Sequence, residues 1–283
     1  MEATTEGAGP MASRTIVVTG ASDGVGRAAA RALSRRGENV VVVGRSAGKT
    51  EALARELETD HHVADFARLE EVRSLAATLL DHYPAIDVLV NNAGGIMGSR
   101  TTTADGHETT FQVNHLAPFL LTTLLSERLV ASRATVIMTS SVLNLRARLD
   151  LDDLDLLRRY AGVRAYANAK LANILFTREL QRRYGDAGVN AVSFHPGAVA
   201  TSFSGGTNSM ARLVYHTPLK RLMLTPEQGA DTLVWLATSV PGADWVPGGH
   251  YEKRRTAPVH TLAGDADVAR RLWERSEEML ATG

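Results

Sequence analysis

The stretch Thr15-Ile16-Val17-Val18-Thr19-Gly20-Ala21-Ser22-Asp23-Gly24-Val25-Gly26 decides the fold. Its first five residues are a β-branched run suited to a buried strand, and the run ends at a glycine. Val25 to Arg36 follows, rich in alanine and arginine, with apolar residues at helical spacing. A strand, a glycine-bearing turn and a helix in that order make a cradle for a pyrophosphate. Glycine lets the backbone approach the phosphates, and the helix N-terminus offers unpaired N–H groups at the positive end of its dipole. Gly20, Ser22, Asp23, Gly24, Val25 and Gly26 are therefore candidate cofactor-binding residues. A tight turn with no ligand is the competing reading of the stretch taken alone.

The alternation continues in both chemistry and spacing. Asn39 to Val43 is a second β-branched run closed by Gly44, and His62 to Ala64, Ile86 to Val90, Thr135 to Met138 and Asn190 to Phe194 read as further strands. Thr50 to Leu57, Leu69 to Leu80, Ala117 to Leu129 and Ala165 to Tyr184 read as helices between them, and Asp265 to Leu280 as an amphipathic surface helix. Strands this continuously apolar are buried on both faces. The expected fold is α/β: a single Rossmann-type, doubly wound parallel sheet of about seven strands with helices on both faces. It fills residues 14–283 as one domain behind a disordered tail, 1–13. Two segments interrupt the pattern, Leu143 to Gly162 with its acidic-leucine run Leu149 to Leu156, and Ala200 to Leu224. Long loops in a compact domain often serve as lids or binding segments. A solvated loop or short helix is the alternative for the first, and a substrate lid over about 200–224 is expected of the second.

The chain has 283 residues and 31 basic against 31 acidic side chains, so composition implies no basic face for nucleic acid or an anionic membrane. It has no cysteine, which excludes disulfides, thiolate catalysis and thiolate metal sites and is compatible with a reducing cytoplasm. No stretch approaches the roughly 20 apolar residues of a membrane span. His61 and His62 would point to opposite faces of a strand, so no metal site is assigned to them. Trp235, Trp245 and Trp273 read as core or interface residues.

The end of the second strand bears on which dinucleotide binds. An NAD site places an acid there for the ribose hydroxyls, whereas this chain has Val43-Gly44-Arg45-Ser46, with Lys49 nearby. A guanidinium suits a 2′-phosphate, so Arg45 favours NADP(H) over NAD(H); the acid Asp23 is the contrary note. Tyr166 and Lys170 stand at i and i+4 on one helical face. A fixed positive charge beside a phenol lowers its pKa from near 10, which would let Tyr166 exchange a proton near neutral pH. Such a pair alone also occurs as a surface ring beside a lysine.

Taken together, Thr19 to Gly26, Asp65, Asn91-Asn92-Ala93-Gly94, Asn114, Ser140-Ser141, Tyr166-Ala167-Asn168-Ala169-Lys170 and Pro196-Gly197 resemble the short-chain dehydrogenase/reductase family, in family order over residues 14 to about 252. The resemblance implies four catalytic residues. Ser141 would bond the substrate carbonyl, Tyr166 would donate its proton, Lys170 would bond the nicotinamide ribose and support Tyr166, and Asn114 would anchor a water in the proton path. It also implies that Asp65, with Phe66, contacts the adenine, and that Asn91 and its neighbours Asn92, Ala93 and Gly94 line the adenine ribose side. Pro196, Gly197, Val199 and Thr201 would border the nicotinamide. Asn114 to Thr122, Tyr166 to Leu180 and His195-Pro196-Gly197 are similar to the retinol dehydrogenase-like group, whose members typically handle lipophilic alcohols and carbonyls. The expected activity is NADP(H)-dependent interconversion of a ketone or aldehyde and an alcohol on a lipophilic small molecule, in the cytoplasm. Alternatives on the same site are epimerisation or reduction of a carbon–carbon double bond, or dinucleotide sensing without catalysis. The resemblance implies a homodimer or homotetramer through the helices near Ala117 to Leu129 and Ala165 to Tyr184, or a monomer if the segment between serine and tyrosine masks them.

Overall fold

A computed structural model describes residues 13–199 and 223–281. Nearly all of the expected tail, and the expected lid with the exception of its last two residues, lie outside the described residues, as does Thr201.

Strands β1 (Thr15–Thr19), β2 (Asn39–Gly44), β3 (His61–Val63), β4 (Val88–Asn91), β5 (Thr135–Thr139), β6 (Asn190–Phe194), β7 (His250–Glu252) and β8 (Arg255–Thr256) form one sheet in the order β3-β2-β1-β4-β5-β6-β7-β8. All neighbours are parallel except β7 and β8, a short antiparallel pair that brings the count to eight. Chain order reverses between β1 and β4. In a doubly wound sheet that reversal leaves a crevice at the carboxyl ends of the two strands.

Helices α1 (Gly24–Ser34), α2 (Ala47–Leu57) and α8 (Pro226–Thr238) pack on one face. Helices α3 (Leu69–His82), α5 (Ala117–Leu124), α6 (Ser126–Ala131), α7 (Gly162–Tyr184) and the C-terminal α9 (Ala266–Ala281) pack on the other. Alternate strand residues serve the two layers, as the pleat requires: Ile16, Val18 and Val90 enter the first core, Val17, Leu89 and Val136 the second.

One expectation changes here and one alternative falls away. The single helix expected over Ala117 to Leu129 is divided at Leu125 and preceded by the short α4 (Thr109–Phe111) and a π-helical turn, Gln112–Leu116. The turn has a local cause. Asn114 Nδ2 donates to Thr110 O at 2.8 Å, so a side chain takes up a carbonyl four residues back that regular helix would use. The solvated-loop alternative for the acidic-leucine segment does not hold. Leu154 and Leu156 are buried, and two of the aspartates accept from backbone amides, Asp153 from Leu157 N within its own turn at 2.7 Å and Asp155 from the distant Glu108 N at 2.7 Å.

Candidate active site

The turn after β1 is built as the sequence requires. Gly20 and Gly24 have positive φ, and Asp23 caps α1 by accepting from Gly24 N at 2.8 Å. A Cβ on Gly26 would meet Gly20 O at 2.3 Å and Asn92 Nδ2 at 2.5 Å, so that position admits no side chain. Asn92 fastens the turn to β4, its Nδ2 donating to Thr19 O at 3.1 Å. Asn91 behaves otherwise. Its side chain turns into the core and donates to Thr122 Oγ1 at 2.9 Å, so it does not line the cavity; adjacent strand residues face opposite ways.

A cavity of about 490 Å³ opens at this crevice. Gly20, Ser22, Asp23, Gly24, Val25, Arg45, Asp65, Phe66, Asn92, Ala93 and Gly94 all line it. Lys49, Met97 and Val113 also line it, and nothing in their spacing in the sequence marked Met97 or Val113. Lys49 pairs with Asp23 at 2.9 Å, which offsets the acid in the glycine turn. A glycine turn into which no Cβ fits and a helix N-terminus suit the pyrophosphate of a dinucleotide.

The other end of the crevice is organised by β5 and α7. Ser140 Oγ donates to Lys170 O at 2.7 Å and ties the two elements together. Ser141 opens a 3-10 helix, Val142–Arg146, its hydroxyl accepting from Leu143 N at 3.2 Å. Asn144, which sequence spacing did not single out, holds that serine by donating from Nδ2 to Ser141 O at 2.8 Å. Lys170 is buried one turn beyond Tyr166, with Nζ 5.3 Å from the ring centre and donating to Thr139 O at 3.1 Å. A Cβ on Gly94 would lie 3.3 Å from Lys170 Nζ and 2.4 Å from Asn114 Oδ1, so the dinucleotide cavity meets the Tyr166–Lys170 pair at Gly94. Asn114 also grips Gly95, accepting from its N at 3.1 Å and donating to its O at 2.8 Å.

The electrostatics depart from the expectation that Lys170 lowers the phenol. Burial pushes Tyr166 up to about 12, with a hydrogen bond to Ser141 pulling the other way. Burial also brings Lys170 down to about 7. Desolvation is the leading cause for each group because both are enclosed by protein. The phenol is thereby held protonated, the state a proton donor needs.

The segment after β6 does not line that cavity but packs beside the glycine turn. Gly197 takes a φ of +80° and donates to His195 Nδ1 at 3.1 Å, while His195 Nε2 meets Glu252 on β7 at 3.2 Å. Val199 bridges to Leu224, and it shares Gly229 of α8 with Val25: a Cβ there would meet Val199 at 2.5 Å and Val25 at 3.2 Å. The packing of α1 on α8 thus brings Val199 beside Val25 at the start of α1.

Residues 14–212 match the model of the short chain dehydrogenase family. The chain is 44% identical over 275 residues to a Streptomyces sp. (strain C5) protein assigned as a daunorubicin C-13 ketoreductase, covering 95% of this chain and 93% of that one. It is 36% identical over 280 residues to human retinol dehydrogenase 13, covering 94% and 84%. Among solved structures, an uncharacterized protein from Mycobacterium paratuberculosis matches with a TM-score of 0.76 at 33% identity, covering 95% of this chain and 93% of that one. A Beutenbergia cavernae protein, assigned as an NAD(P)-dependent gluconate 5-dehydrogenase and solved with NADP at low occupancy, matches with a TM-score of 0.62 at 30% identity, covering 81% and 92%.

Proposed function

Since the chain belongs to the short chain dehydrogenase family and is an oxidoreductase of it, we propose that it reduces a ketone or aldehyde on a lipophilic small molecule, with NADPH as hydride donor and Tyr166 as proton donor. The observation that carries this reading is the burial of Tyr166 and Lys170 together, one helical turn apart, beside Ser141 and against Gly94 of the dinucleotide cavity. The bound dinucleotide would supply a hydride to the carbonyl carbon. The residues of the chain do the rest. Ser141 orients the carbonyl oxygen, Tyr166 Oη passes its proton to that oxygen, and Lys170 stabilises the phenolate left behind. The products are an alcohol and the oxidised dinucleotide.

Arg45 supports the preference for NADP(H) over NAD(H), since it brings positive charge to the end of β2 where a 2′-phosphate would lie, while Lys49 offsets the charge of Asp23. Lipophilicity of the substrate is supported by the names of the daunorubicin and retinol relatives, and by Val142 and Leu145, apolar and exposed directly after Ser141. A cytoplasmic setting belongs to the same reading and is checked by cell fractionation. No helix among the described residues is long and apolar enough to cross a membrane.

Fluorescence titration with NADPH and NADH side by side tests the cofactor. Much tighter NADPH binding is expected, and binding of neither would remove the basis for the reading. Product analysis with deuterated cofactor separates carbonyl reduction, which puts deuterium on the carbinol carbon, from epimerisation or double-bond reduction.

A further inference from the structure

Three side chains outside the proposed proton-transfer set form one continuous buried chain beside it. Asn173 lies one turn beyond Lys170 on α7, His115 follows Asn114 in the π-helical turn, and Ser276 sits on α9; all are enclosed by protein. Asn173 Nδ2 donates to Asn114 O at 3.0 Å and to Thr139 O at 3.1 Å. Thr139 O is also the acceptor of Lys170 Nζ. On its other side, Asn173 Oδ1 lies 3.2 Å from His115 Nδ1, and His115 Nε2 lies 3.0 Å from Ser276 Oγ.

Donor and acceptor accounting fixes the hydrogens. Both hydrogens of the Asn173 amide go to carbonyls, so Oδ1 accepts and the facing His115 Nδ1 must carry a hydrogen. Burial, reinforced by the Lys170 charge, brings His115 down to about 4, so the ring is neutral and its Nε2 is a bare acceptor. Ser276 has one hydroxyl hydrogen and two acceptors within reach, His115 Nε2 and Leu272 O at 2.8 Å. Given to His115, that hydrogen holds the tautomer that locks the amide.

We propose that Ser276, His115 and Asn173 are positioning residues, a relay through which the C-terminal helix fixes the Lys170 ammonium by controlling how much of the Thr139 carbonyl the lysine can use. The role given to Lys170 rests on the proposed function; the relay itself does not. A carbonyl oxygen has two lone pairs, and Asn173 occupies one of them. Removing the amide releases that oxygen to the ammonium and admits water, and both changes favour the charged lysine. Its titration midpoint therefore moves up. Removing the Ser276 hydroxyl loosens the amide without deleting it, so the shift has the same sign and is smaller. The titratable groups facing Lys170 are Tyr166 on its own helix and His115 on the π-helical turn; from β5 it meets the Thr139 carbonyl.

The test is a pH titration of the full chain, labelled at lysine Cε, followed by proton–carbon NMR. The sequence has four lysines, Lys49, Lys170, Lys220 and Lys253, and the Lys170 signal is identified by its loss in Lys170→Met. Cooperative thermal melts establish that each variant is folded. In Asn173→Ala the Lys170 midpoint is expected to rise by about half a pH unit or more, and in Ser276→Ala by a smaller resolvable amount, with the other lysines unmoved. If Asn173→Ala does not fold, His115→Asn and Ser276→Ala decide. An unmoved Lys170 in folded variants overturns the relay. So does movement in Asn173→Ala with none in Ser276→Ala, because α9 then takes no part. Full turnover in Tyr166→Phe would instead sink the proton-transfer reading and leave the relay standing.

Discussion

At Gly94 the two halves of the site are separated by less than the width of a methyl group. A Cβ there would lie 2.4 Å from Asn114 Oδ1 and 3.3 Å from Lys170 Nζ, and the amide, gripping Gly95 on both sides, has little freedom to retreat. Gly94→Ala is expected to lower kcat and dinucleotide affinity together, at a cost of about 1–3 kcal/mol, read by steady-state kinetics and fluorescence titration. Tyr166→Phe keeps the ring and deletes the proton. It is expected to cut kcat by about 10²–10⁴-fold while dinucleotide binding is retained, which stopped-flow turnover and the same titration resolve. At the cofactor's far end, Arg45→Glu places a carboxylate where the phosphate would lie. The NADPH preference is expected to collapse or invert in side-by-side titrations.

Elements matter through their ends and their breaks. The π-helical turn carries Asn114 to the site, and it is held by the short helix α4, whose own cap is Glu108. That buried carboxylate accepts from Thr110 N at 2.9 Å and Phe111 N at 2.8 Å, while the Glu108 amide donates to Asp155 of the acidic-leucine segment. Glu108→Ala leaves two buried donors unmet and is expected to destabilise the protein by about 1–3 kcal/mol in urea melts. The 3-10 helix after β5 works similarly. Asn144 bonds Ser141 O and accepts from His260 N at 2.9 Å, which fixes the start of that helix against the chain leading to α9.

In the whole molecule, α9 closes the face formed by α5 and α7. Trp273 lies 4.9 Å from the Phe119 ring and 5.5 Å, stacked, from Phe176, with the Arg183 guanidinium above it. The chain's own C-terminal helix thus packs on the α5 and α7 face, one of the surfaces considered for a dimer or tetramer. A monomer near 30.4 kDa is the expected result of light scattering, and a dimer of about 61 kDa would show that another surface associates. Two buried histidines make stability fall in acid. Burial brings His115 down to about 4 and His250 to about 3, while the unfolded chain protonates both near 6.5. Protons thus bind the unfolded state first. The stabilisation is complete above about pH 6.5 and is lost progressively down to about pH 3–4, so Tm measured by calorimetry is expected to drop through that window.

The fold was legible in the sequence because its signals are local. β-branched runs ending in glycine, and helices between them, give a parallel sheet, and the turn from Gly20 to Gly26 is placed by chain neighbours alone. Tyr166 and Lys170 could be paired on the same grounds, since four residues of helix bring them together wherever the helix lies. The environment of that pair was not legible. Whether Lys170 lowers the phenol or burial raises it depends on how completely other elements enclose both groups, and enclosure is decided by packing. Asn91 and Asn92 show the same division: their identity drew attention to the segment, but the pleat decided that one faces the core and the other the glycine turn. The solvated alternative for the segment from Leu149 to Leu156 could not be set aside from charge patterning, which does not show the backbone amides that Asp153 and Asp155 bind. The relay from Ser276 to Asn173 joins residues 103 positions apart, through His115 in a third element. By itself the sequence determined the sheet, the cradle and the chemical groups, because these follow from near neighbours. Only the tertiary structure decided burial, protonation and which carbonyls the groups share, because these depend on atoms brought together from distant parts of the chain.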